Sequence, residues 1–197
     1  MDALYKTALD TFNDLLEQAR QSQDPEPTAM TVATVGRDGR PAARTVLLKG
    51  VDERGFVFYT NFDSRKGQQL AANPQAALLF HWKFLLEGVQ VKIEGTVEPV
   101  TAEEADAYFA VRPRGSQIGA WASLQSQPLA SREVFEQRVA EVESRYEGLP
   151  VPRPPHWSGF RIVPERIEFW YGAQFRLHER QCYKRVDGVW TLGMLYP

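Results

Sequence analysis

The chain has 197 residues, 43% hydrophobic and 24% charged, with a formal net charge of −2, a balance that excludes both a disordered tail and a membrane-embedded protein. Its longest apolar runs, such as AALLF, are far too short to span a bilayer. Near-neutral charge gives no general attraction for nucleic acid, so any anion site must be local.

The opening MDALYKTALDTFNDLLEQAR lacks the basic start, apolar middle and small-residue cleavage site of a secretory leader, and a cytoplasmic location is expected. Leu4, Ala8, Phe12, Leu15, Leu16 and Ala19 recur at helical spacing, which predicts an amphipathic helix over about 3–21, ended by QSQDPEP. TVATV, RTVLLKG and GFVFYTN then change the period to two and are separated by GRDGR and VDERG, which carry turn residues. Ser64 is placed to cap a short helix, RKGQQLAAN, followed by the strands QAALLFHW and VQVKIEGTVEPV. Thr101 and Glu104 form a capping box for a helix running to about Val111, which Arg112-Pro113 stops, and a second helix is expected from Ser131 to Tyr146. The proline-rich LPVPRPPHW leads to strands around FRIVPERIEFWYG, RLHERQCYKR and VWTLGML. Seven or eight strands without βαβ alternation predict a mostly β, antiparallel barrel with peripheral helices. Residues 1–197 read as one domain, with a helix and linker over 1–26 and the barrel with inserted helices over 27–197.

No Rossmann, P-loop or nucleophile-elbow motif is present. His81, His156 and His178 lack ligand spacing, and with one cysteine, Cys182, no metal site and no internal disulfide are expected. Cationic groups carry the positive signal. Arg65 and Lys66 fall in the first turn of a helix, where free N–H groups and two positive side chains suit a phosphate, or else form a solvated basic helix end. Tyr108 and Arg112, four apart, share a helical face in this reading, with Ser116 just beyond; the trio suits a phosphate monoester, although the arginine could instead pair with nearby glutamates. Arg44 and Lys49, five apart, serve one ligand only through a bulge, a strand end or backbone contact, and Leu47 and Leu48 read as core. In FRLHER, Arg176, His178 and Arg180 alternate, so a strand would send all three to one face, with Leu177 and Glu179 on the other.

RTVLLK, FYTN, SRK, VQV, YFAVRPRGSQIGAWAS, QS, IEFW and RLHER occur in the order and approximate spacing of the pyridoxamine (pyridoxine) 5′-phosphate oxidase family, and from about Pro27 to the C-terminus the chain resembles that family. The resemblance implies an FMN-binding split β-barrel, active as a homodimer with flavin in clefts at the subunit interface. It assigns FMN contacts to Arg44, Thr45, Val46, Leu47, Leu48, Lys49, Tyr59, Thr60, Arg65, Lys66, Gln90, Gln125, Ser126, Trp170 and Arg180. It assigns the substrate to Lys49, Tyr108, Arg112, Ser116, Arg176, Leu177 and His178, with Arg176 and His178 over the reacting ring. The implied reaction oxidises pyridoxamine 5′-phosphate or pyridoxine 5′-phosphate to pyridoxal 5′-phosphate with O2, releasing hydrogen peroxide. A related split-barrel flavoprotein with another substrate, or a non-catalytic binder of flavin or B6 phosphate, is the alternative. Departures from the pattern include a start almost at the first helix, ahead of which family members often carry a basic segment, a longer loop in HWKFLLEGVQ without an arginine before Gln90, and Met194 where an arginine is common.

Overall fold

The computed structural model describes all 197 residues. After helix α1 (Ala3–Gln21), strands β1 (Ala29–Val35), β2 (Pro41–Leu47), β3 (Gly50–Asp52) and β4 (Gly55–Asn61) lead to helix α2 (Arg65–Ala72). Strands β5 (Gln75–Trp82) and β6 (Val89–Pro99) follow, then helices α3 (Ala102–Ala110), α4 (Arg114–Ala122) and α5 (Arg132–Arg145). The chain ends in β7 (Trp157–Tyr171), a single 3-10 turn (Gln174–Arg176), β8 (Glu179–Val186) and β9 (Val189–Met194). All pairings are antiparallel, in the order β2-β1-β5-β6-β7-β4-β3, with β8 and β9 extending from β7.

Closure of this sheet is achieved by one stretch of chain. β2 pairs with β1 up to Leu47, and after only two intervening residues β3 pairs with β4 from Gly50. At the switch, the Leu48 N–H donates to Thr28 O and the Lys49 N–H to Val57 O, so the backbone stays hydrogen-bonded while it changes partner. The two ends of this path are thereby joined through the chain, while β2, β3 and β9 each hydrogen-bond to a single neighbouring strand. At Glu94/Gly95 the β6–β7 register slips, and a Cβ on Gly95 would lie 2.0 Å from the Val163 carbonyl oxygen. Only glycine lets the two strands approach that closely at the bend.

The barrel is filled by alternating strand residues and closed by α1. Asp2 caps that helix by accepting from the Leu4 and Tyr5 N–H groups. Its Phe12 ring packs edge-on to Phe56 and Phe80 at 4.9 and 5.0 Å and lies beside Trp82 at 5.8 Å. Tyr5 stacks on Trp190 of β9 at 4.9 Å. Aromatic packing of this kind contributes about 0.5–1.5 kcal/mol per pair beyond burial.

Three expectations are corrected. There are nine strands rather than seven or eight. α4 was not expected: Pro113, read as a stop, is the N-cap of a new helix, and Gln117 of that helix donates its side-chain N–H to the Phe109 carbonyl, satisfying the end of α3. The third concerns FRLHER, where Phe175 and Arg176 have φ of 56° and 63°, in the left-handed region. This turn breaks the alternation, so Arg176 and His178 precede the strand and only Arg180 lies on it.

Candidate functional site: an acid-free cationic cavity

A cavity of about 560 Å³ opens where β2, β4, α2, α3 and α4 meet. Arg44, Lys49, Lys66 and Arg112 line it, and no carboxylate does. Arg44 reaches it from β2, and its Nη1 donates to Thr34 Oγ1 (2.6 Å) and Val32 O (3.1 Å) while Nη2 donates to Gln69 Oε1 (3.2 Å). Burial, and then the charge of Arg65, push its guanidinium below the usual arginine range.

Lys66 enters from the first turn of α2, which Ser64 caps by accepting from the Gly67 N–H. Its ammonium donates to Gln125 Oε1 (2.6 Å), Thr60 Oγ1 (2.9 Å) and Ser64 Oγ (3.3 Å). These are neutral acceptors, so no counter-charge offsets the burial, and desolvation, helped by Arg44, lowers Lys66 to about 8. The backbone here is tight: a Cβ on Gly67 would lie 2.1 Å from the Phe62 carbonyl oxygen.

Arg112 lies two residues past the end of α3, not on the face it was expected to share with Tyr108, yet both line the cavity. Its guanidinium sits 4.5 Å from the Trp157 ring and 5.5 Å from Phe109. Burial shifts it below the ordinary arginine value, and its Nη1 is buried with no hydrogen-bond partner. Tyr59 stacks with both Tyr108 (4.1 Å) and Trp157 (5.3 Å), which lie 6.2 Å from each other, so three near-parallel rings form one wall. Ser116, Gly119 and Ala120 of α4 add small groups to the lining.

The structure therefore gathers Arg44 to Leu47, Lys49, Tyr59, Thr60, Lys66, Tyr108, Arg112, Ser116 and Gln125 around one space. Arg44 and Lys49 share it through a strand end, one of the routes left open by their spacing. Leu47 is half-buried at the cavity, while Leu48 turns into the core at 5% exposure and does not line it. Arg65 is exposed and borders a separate shallow cavity with Arg37 and Asp38, and Ser126 is exposed beside Gln125. Sequence reasoning missed Trp157 and Asn61; the only signal for the tryptophan was its place after the proline-rich connector.

The remaining candidates form a second cluster. Gln90, Trp170 and Arg180 stand abreast on β6, β7 and β8. His178 packs on Trp170 at 4.4 Å and accepts from the Ala173 N–H through Nδ1 (3.1 Å), with exposed Arg176 and Leu177 beside it. Trp157 of the cavity and Trp170 of this cluster lie near opposite ends of β7, separated by roughly 40 Å of extended strand. The two clusters thus sit at different ends of the strand within one chain.

The barrel with its cationic, acid-free cavity defines a split-barrel protein with a site whose charge suits an anionic group. Residues 16–146 match the family model described as pyridoxamine 5′-phosphate oxidase, and residues 157–197 match the pyridoxine 5′-phosphate oxidase C-terminal dimerisation region. A pyridoxine/pyridoxamine 5′-phosphate oxidase of Myxococcus xanthus (strain DK1622) is 64% identical over 186 residues, covering 94% of this chain and 89% of that protein. One from Xanthomonas euvesicatoria pv. vesicatoria (strain 85-10) is 60% identical over 199 residues and covers both chains in full. The solved structure of PhzG from Burkholderia lata 383, in complex with tetrahydrophenazine-1-carboxylic acid, is 31% identical, with a TM-score of 0.86 over 100% of this chain and 98% of that one. A pyridoxamine 5′-phosphate oxidase-related, FMN-binding protein of Nostoc punctiforme PCC 73102 shares the fold, with a TM-score of 0.74 at 17% identity over 95% of this chain and 96% of that one. The chain belongs to the pyridoxamine 5′-phosphate oxidase family.

Proposed function

We propose that this protein is an FMN-dependent oxidase that converts pyridoxine 5′-phosphate or pyridoxamine 5′-phosphate to pyridoxal 5′-phosphate, acting as a homodimer. The observation that carries this reading is the orphaned, buried Nη1 of Arg112 in a cavity with four cations and no carboxylate. A buried donor without a partner costs about 1–3 kcal/mol, and a phosphate oxygen would relieve it. Such a donor set suits phosphoryl groups and offers nothing to a cation.

Arg44 to Lys49, Thr60, Lys66 and Gln125 would hold FMN from one protomer, and the row Gln90–Trp170–Arg180 from the other. The C-terminal match to a dimerisation region supports this two-chain arrangement, as does the length of β7 that keeps the clusters apart. FMN, when bound, would supply the redox chemistry: a two-electron acceptor for the hydride of the 4′ carbon that O2 could reoxidise, with hydrogen peroxide as the reduced product. Tyr108, Arg112 and Ser116 would grip the substrate phosphate, with charge-assisted bonds of about 1.5–3 kcal/mol each from the arginine. Arg176 and His178 would position and polarise the substrate ring. With the phosphate fixed at one end and the ring held at the other, the 4′ carbon has one orientation in which to react. The alcohol substrate gives the aldehyde directly; the amine also takes up water and releases ammonia.

The test is a visible spectrum and an oxygen electrode. Yellow protein that consumes O2 and forms peroxide with pyridoxine 5′-phosphate, and not with unphosphorylated pyridoxine, supports the proposal. Yellow protein inert toward it, whether or not it oxidises a reduced phenazine carboxylate, would overturn the substrate assignment.

A further inference from the structure

Glu168 is the one carboxylate sealed in the sheet, with 1% exposure, at a position where β7 pairs with Lys92 of β6 and Cys182 of β8. Both of its oxygens are taken. Oε1 accepts from Lys92 Nζ (3.1 Å) and from Arg180 Nε (2.9 Å) and lies 2.7 Å from Arg180 Nη2; Oε2 accepts from Arg166 Nη2 (2.6 Å). Burial alone would raise its pKa, but the hydrogen bonds and charges of Arg180 and Lys92 hold the carboxyl below the usual range. Stability does not by itself call for such a group, since apolar replacements of buried ion clusters are often neutral or stabilising.

The three cations depend on Glu168 to different degrees. Arg166 also pairs with Glu94 at 2.7 Å, and Lys92 is a single flexible point charge. Arg180 has no other carboxylate; its second anchor is the Tyr196 carbonyl, 2.9 Å from Nη1. Two of its five N–H groups are committed by these hydrogen bonds, and the Nη2 contact with the same carboxylate oxygen adds an ion-pair restraint on the guanidinium. Three N–H groups stay free on the terminal nitrogens. The side chain stands directly opposite Trp170.

We propose that Glu168 is a positioning residue, which sets the orientation of Arg180 so that its uncommitted terminal N–H groups meet the polar edge of the bound flavin. This rests on the reading of Arg180 as a flavin contact. Losing the orientation of one charge-assisted pair corresponds to about a 10- to 100-fold loss in affinity.

A double-mutant cycle read by FMN binding to apoprotein tests it without recourse to turnover. Glu168→Gln and Arg180→Ala should each raise the FMN Kd by about 10- to 100-fold, and the double variant should bind no worse than Arg180→Ala alone. If Arg180→Ala weakens FMN binding but Glu168→Gln does not, or adds its full effect in the double variant, Glu168 is merely structural and the proposal fails while Arg180 keeps its role. If Arg180→Ala binds FMN like the parent, the flavin contact itself is wrong and the proposal falls with it. Should Glu168→Gln not fold, Glu168→Asp keeps the charge but withdraws it by one methylene. An intermediate loss that vanishes in the Arg180→Ala background supports the proposal, and an equal loss in both backgrounds overturns it.

Discussion

Replacing Lys66 with methionine removes the most deeply buried cation of the cavity while keeping a long side chain. The parent ammonium touches only neutral acceptors and titrates at about 8, so at pH 7 about nine-tenths of it is charged. A phosphate placed beside it would recover the charge-assisted bond it lacks, about 1.5–3 kcal/mol. Lys66→Met should therefore raise the FMN Kd by about 10- to 100-fold at pH 7. The pH dependence is a sharper test than the magnitude. Because burial depresses the folded pKa, the unfolded chain binds more protons between about 8 and 10.5, and the apoprotein gains stability from this group as pH rises through that window. A bound anion has the opposite effect: it raises the pKa, so binding takes up a proton above pH 8, and parent affinity should fall by up to about tenfold per pH unit there. Quenching of FMN fluorescence on titration with apoprotein, from pH 6.5 to 9.5, measures the Kd and its pH slope, and the Tm of the apoprotein above pH 8 measures the stability gain. An unchanged Kd at pH 7, or equal slopes above pH 8 in parent and variant, would refute the reasoning.

Other substitutions separate the roles of the two clusters. Arg112→Ala should raise KM for pyridoxine 5′-phosphate by about 10- to 100-fold with FMN content unchanged, measured by steady-state O2 uptake and absorbance. Arg176→Ala should lower turnover by at least about tenfold, an order of magnitude reasonable for loss of one positioning group, while the flavin stays bound; unaltered turnover would count against its contact with substrate. Gly67→Ala drives a methyl into the Phe62 carbonyl and should cost about 1–3 kcal/mol, visible as a lower Tm of the apoprotein and a higher FMN Kd.

Helix starts were readable because their chemistry is local: Asp2, Ser64, Thr101 and Ser131 each accept a backbone N–H in the first turn of their helix. The cationic cavity was readable in part: Lys66 at a helix start and Arg112 with Tyr108 and Ser116 each suggested an anion site, while their grouping with Arg44 and Lys49 came from the resemblance and not from spacing. FRLHER misled because alternating cations mimic a strand, whereas the break comes from left-handed backbone at Phe175 and Arg176, residue types that give no warning of it. Pro113 misled similarly, for the same residue that ends one helix can open the next. That the site residues fall into two distant groups was invisible, because it depends on where along the fifteen residues of β7 each group is attached.

The two-residue switch between β2 and β3 has a thermodynamic corollary. The seam that shuts the barrel is also a wall of the cavity, with Arg44 to Leu47 on one side of Leu48 and Lys49 on the other. Any occupant that fastens those side chains also holds the seam, so emptying the cavity and loosening the barrel become a single event, and amide exchange at Leu48 and Lys49 would slow on loading before it slowed anywhere in the aromatic core.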